Sequence, residues 1–120
     1  MLRGAVRFRG FERAERLTSI EVRIQGDSMW PTFRDGDHLQ AIKGSTAEPG
    51  DIVVAKHPWK TIHIVKRVKE ISPSGYFLEG DNPDPTGSED SHNFGPVPIS
   101  SIIAIINDPH PLLLRLDGET

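Results

Sequence analysis

Hydrophobic positions along this chain recur with two different spacings. In the first segment Val6, Phe8, Phe11, Ala14 and Leu17 are scattered among charges, which suits a short irregular helix broken by Gly10. The period then shortens to two. Ile20, Val22 and Ile24 alternate with Glu21, Arg23 and Gln25, predicting a half-buried strand that runs into Gly26. Residues 39–42 predict a strand after the Gly36-Asp37 turn, and residues 52–55 another after Pro49-Gly50-Asp51. Residues 61–71 predict a long strand with Ile62, Ile64, Lys66 and Val68 on one face. A Ser72-Pro73-Ser74-Gly75 turn leads to a strand over 76–79, and residues 99–106 predict the strand that closes the sheet. Between these last two, Pro83, Pro85, Pro96 and Pro98 predict a long loop over 80–98, a length that favours a functional role.

Short strands punctuated by glycine and proline imply a mainly β fold: a small coiled antiparallel sheet or open barrel. With 120 residues, 36% of them hydrophobic, the chain suffices for one core and reads as one domain over 1–120. Residues 1–19 form an N-terminal arm and 107–120 a C-terminal tail. The net charge of −3 supplies no basic field for nucleic acid. Arg3, Arg7, Arg9, Arg13 and Arg16 crowd the arm, where they serve as a solvated face or make weak peripheral contact with an anionic membrane. Cysteine is absent, which excludes disulfides and thiolate chemistry. The apolar run Ile102-Ile103-Ala104-Ile105-Ile106 is far short of the ~18–20 residues that span a bilayer. The arm's arginines interrupt any secretory signal, so a cytoplasmic protein is expected. His57 and His63 flank Pro58 and Trp59 at no recognised ligand spacing, and neither a metal nor another cofactor is expected.

Candidate chemistry lies in three boxes, over 26–37, 62–68 and 80–97. The first holds Gly26-Asp27-Ser28-Met29-Trp30-Pro31-Thr32, then Asp35-Gly36-Asp37. Ser28 sits between a glycine turn and a proline; its hydroxyl needs a base before it can act as a nucleophile. The second, Ile62-His63-Ile64-Val65-Lys66-Arg67-Val68, places Lys66 on the apolar side of its strand. A lysine with its ordinary pKa of about 10.4 cannot accept that proton at neutral pH, but burial can make it a base. The third runs Gly80-Asp81-Asn82, Ser88-Glu89-Asp90-Ser91 and Phe94-Gly95-Pro96-Val97. In this order the boxes resemble those of the type I signal peptidases, serine–lysine endopeptidases with a β-rich catalytic core. The runs Ala55-Lys56-His57-Pro58 and Ile64-Val65-Lys66-Arg67 look most like the small soluble branch that matures nickel-type superoxide dismutase.

The resemblance implies roles. Ser28 is the nucleophile and Lys66 its general base. Ser88 orients the lysine, with Ser91 or Thr86 as substitutes. The backbone N–H of Ser28 serves the oxyanion, since Gly26 has no hydroxyl to add. Ile24, Met29, Ile64 and Val65 line shallow pockets for small side chains, although each also suits ordinary core. Asp81, Asn82 and Asp90 shape the loop, with His92 where many family members carry an arginine that pairs with the acid. The partner implied is a protein precursor with an N-terminal leader, laid out as an extended strand. The self-cleaving domain of SOS-type repressors uses the same dyad and is a second enzyme reading. It calls for an Ala-Gly or Cys-Gly bond upstream of Ser28, and none occurs there. A peptide-binding module without turnover is a third.

Overall fold

The computed structural model describes residues 18–83 and 89–107. Six strands form one open antiparallel sheet: β1 Ser19–Arg23, β2 His38–Lys43, β3 Ile52–Lys56, β4 His63–Ser72, β5 Gly75–Glu79 and β6 Ile102–Ile106. Their order is β1-β2-β6-β3-β4-β5. The mainly β architecture read from the alternation is thus the observed one. The expected helix in the arm, and the leucines of the tail, lie outside the described residues.

Two details differ from the pattern-based reading. The last strand does not close the sheet at its edge: β6 pairs with β2 on one side and β3 on the other. Its unbroken apolar sequence fits that interior place, where both faces are covered. The proline-rich stretch also contains a helical turn, α1 Ser91–Phe94. Asp90 makes it possible by accepting the backbone N–H of His92 at the helix N-terminus.

The sheet carries core on both faces. In β3, Val53 and Ala55 pack with Ile64, Val68, Leu78 and Val97, while Val54 packs on the opposite side with Ala41 and Ala104. A further cluster, Ile24, Met29, Phe33 and Leu39, lies under the connection from β1 to β2. Ile64, Lys66 and Val68 are buried together, as the alternation predicts. Ile62 falls before the strand and is 47% exposed, so it leaves the buried face on which the alternation put it. Among the described residues no helix is long and apolar enough to cross a membrane.

Candidate active site

Ser28 is presented by a turn whose anchors point the other way. Gly26 takes φ 86°, a left-handed conformation that glycine adopts freely, and Asp35 Oδ1 accepts its N–H at 2.8 Å. The Trp30 N–H donates to the Asp27 carbonyl at 3.0 Å and the Phe33 N–H to the Met29 carbonyl at 2.9 Å. Met29 and Phe33 are fully buried while Ser28 between them and the strand is exposed. Hydrophobic burial of the flanking residues thereby holds a polar side chain at the surface. No described residue accepts the Ser28 backbone N–H.

The Gly80-Asp81-Asn82 segment fixes this turn from outside. The Asn82 backbone N–H donates to the Ser28 carbonyl at 2.9 Å, and Asn82 Nδ2 donates to the Asp27 carbonyl at 2.8 Å. Gly80 lies so close that an added Cβ would be 2.7 Å from the Ser28 carbonyl oxygen. Asp81 ties three elements together. It accepts from Thr32 Oγ1 at 2.6 Å and from Arg67 Nε and Nη2 at 2.9 and 2.8 Å. Burial raises the Asp81 pKa, but the hydrogen bonds from Arg67 and Thr32 and the Arg67 charge outweigh it, so the carboxylate stays ionised.

Lys66 lies on β4 across from Val53, and only 3% of its surface is exposed. Its ammonium makes no hydrogen bond or ion pair with any described residue, Ser28 included. Desolvation pushes its pKa below the ordinary lysine value; the nearby Asp90 and Glu89 charges pull it partly back. Asp90 is itself buried. Its Oδ2 accepts the Gly80 N–H at 3.0 Å, and its Oδ1 accepts the His92 N–H at 3.0 Å. The His92 ring approaches that oxygen at 3.2 Å and Glu79 at 3.5 Å.

Ser28 and Lys66 open onto one cleft of about 560 Å³, within the range of small-ligand and peptide sites. Ile24, Met29, Ile64, Val65, Asn82 and Asp90 share its walls. Asp81 stands behind the wall, engaged by Arg67 and Thr32. Ser88 and its substitute Thr86 lie outside the described residues. The other substitute, Ser91, is buried, and its Oγ accepts the Leu78 N–H at 2.8 Å.

Two participants, Glu89 and His57, lie beyond what the sequence predicts, and for Arg67, which suits a solvent-facing position paired with an acid, the partner is new. Glu89 lines the cleft. His57, weighed there only as a metal ligand, is buried and meets Glu89 through Nε2 at 2.6 Å. Arg67, a neighbour of Lys66 on the opposite face of β4, grips Asp81. Each pairing joins residues far apart in sequence, so no local pattern signals it. The only hint is a histidine directly after the apolar strand 52–56.

These geometries place an exposed hydroxyl and a buried amine, its pKa lowered by desolvation, in one groove, an arrangement suited to nucleophilic attack assisted by a base. Compared with known proteins, residues 13–93 match the peptidase S24-like family. No curated protein matches the sequence closely enough to add to this. The matched span covers more than half of the 120 residues and includes Ser28, Lys66 and the loop up to His92, so the chain belongs to the peptidase S24-like family.

Proposed function

We propose that the protein is a serine–lysine endopeptidase that removes an N-terminal leader from a precursor protein. The observation that carries this reading is the buried Lys66, its pKa lowered by desolvation, in the same cleft as the exposed Ser28. Neutral Lys66 takes the Ser28 Oγ proton as that oxygen attacks the scissile carbonyl. The tetrahedral oxyanion is held by the Ser28 N–H. The protonated lysine then gives its proton to the leaving amine, and water hydrolyses the acyl-enzyme by the same route.

Substrate would lie extended. Among the described residues, β5 pairs with β4 only from Arg67 onward, so no strand covers the outer edge of His63–Lys66. That edge and residues 23–27 flank the cleft, giving a peptide two rows of backbone groups to join. Ile24, Met29, Ile64 and Val65 favour small apolar side chains before the cut. A leader of nickel-type superoxide dismutase is the substrate suggested by the resemblance of the 55–58 and 64–67 runs. Leaders of other proteins are the wider class, with a cytoplasmic setting and at most peripheral membrane contact.

A second reading has its own observation: Ser28 and Lys66 are not hydrogen-bonded to one another. A peptide-binding module of the same fold would look like this, although catalytic bonds often tighten only when substrate arrives. Cleavage of a nickel superoxide dismutase precursor, read by intact mass, separates these. One leader cut, lost in both Ser28→Ala and Lys66→Ala, is the expected result. Binding without any cut, on this and on a panel of other leaders, would leave the module. A cut on other leaders only would remove the dismutase assignment and keep the peptidase.

A further inference from the structure

The His57 imidazole has both nitrogens committed. Its Nδ1 accepts the backbone N–H of Trp59 at 3.0 Å and of Lys60 at 3.1 Å. A nitrogen that accepts cannot carry the ring proton, so the proton is on Nε2. From there it is donated to Glu89 Oε1 at 2.6 Å, and Lys60 Nζ meets the other oxygen at 2.9 Å. The ring also meets Phe94 edge-on, with centroids 5.0 Å apart. One buried side chain thus holds both ends of the segment from Glu89 to Phe94. That segment carries Glu89 and Asp90, which share the cleft with Lys66.

We infer that His57 is a positioning residue for Lys66: by gripping Glu89 and backing Phe94, it seats the 89–94 segment against the lysine and keeps water from the amine. This rests on the reading of Lys66 as the base. The other charged or titratable groups on the cleft are Arg23, Asp27 and, on the lysine's own strand, His63; β3 presents only the apolar Val53 across from it. The direction of the effect follows from competing influences. The segment shields the amine from water and also brings the Glu89 and Asp90 charges near it; on this inference shielding is its main effect, so releasing it moves the amine back toward ordinary lysine behaviour.

Two isosteric changes separate this role from a purely structural one. His57→Gln places an N–H near the Nε2 position and keeps the grip on Glu89, but loses the Nδ1 acceptor. His57→Asn keeps an acceptor for the Trp59 and Lys60 N–H groups and cannot reach Glu89. Lys66 is followed in the full chain by its ¹³Cε resonance, assigned by its loss in Lys66→Met. The expected result is a depressed midpoint in wild type, little change in His57→Gln, and a rise of about one pH unit or more in His57→Asn. The acid limb of kcat/KM for leader cleavage should rise with it, lowering kcat about tenfold at neutral pH with KM little altered.

A His57→Asn protein that titrates like wild type, or a His57→Gln protein displaced more than His57→Asn, overturns the inference and assigns His57 to the 58–60 turn. An ordinary lysine midpoint in wild type removes the base itself, and the inference with it. Should His57→Asn not fold, Glu89→Ala cuts the same contact from the half-exposed side. Faster exchange of the Asn93 and Phe94 amides, both bonded to the Asp90 carbonyl, is then expected, and unchanged exchange overturns it.

Discussion

On the proposed mechanism, Lys66 concentrates the conflict between stability and function in one side chain. A buried amine with no hydrogen-bond partner among the described residues disfavours the folded state in its charged form. Its folded pKa lies below the unfolded one, so the penalty is complete below the folded value and fades as pH rises toward the ordinary lysine value. Lys66→Met removes the charge and keeps the volume. It should therefore raise stability at about pH 7 by something on the order of 1 kcal/mol, and the gain should shrink near about pH 10. Urea denaturation of both proteins at the two pH values checks this. A gain that grows with pH would contradict the sign. Under the proposed mechanism activity runs the opposite way, since the same substitution removes the proposed base.

At the scale of elements, the turn bearing Ser28 and the 80–82 segment act as one unit. Asn82 binds the Asp27 and Ser28 carbonyls, and Asp81 connects Thr32 on the turn to Arg67 on β4. Lys66 precedes Arg67, so this clasp fixes the turn relative to the strand that carries the lysine. Gly80 is where backbone approaches backbone, and a methyl group there forces a shift. Gly80→Ala should displace Ser28 by a few tenths of an ångström or more. A misplacement of ~1 Å can cost about 100-fold in rate. The expected outcome is a loss of cleavage larger than the loss of Tm explains, measured by kcat and thermal melting of one preparation. Equal and small effects on both would show that the turn tolerates the shift.

At the scale of the molecule, the order β1-β2-β6-β3-β4-β5 places β6 and β3 inside and β1 on an edge. Val53, Ala55 and Ala104 are completely buried, whereas β1 carries exposed Ser19, Glu21 and Arg23. Native-state amide exchange should be slowest in β3 and β6 and faster in β1, because local opening requires less where few apolar contacts break. Equal protection of β1 and β3 would argue that something covers that edge. The cleft lies where the continuation of β1 meets the His63–Lys66 part of β4, whose edge away from β3 is covered by no strand among the described residues. It therefore joins a more easily opened strand to a more protected one, and a bound peptide should slow exchange in β1.

Much of this was legible in the sequence because it depends on local alternation. Period-two patterning located the strands to within a residue or two at most ends, and it put Lys66 on the buried side from the residues around it. The serine and lysine boxes pointed to peptidase chemistry by resemblance to signal peptidases, and the family matched is the peptidase S24-like one. Alternation could not reveal that β6 inserts between β2 and β3, because strand order depends on long-range pairing rather than on the strand's own residues. Nor could it anticipate that His57 reaches Glu89 or that Arg67 grips Asp81. Those bonds exist because the fold brings distant chain segments within 3 Å of one another, and their strength comes from partial burial that only packing creates. The chain's own pattern determined which residues face inward; the tertiary structure decided which of them meet.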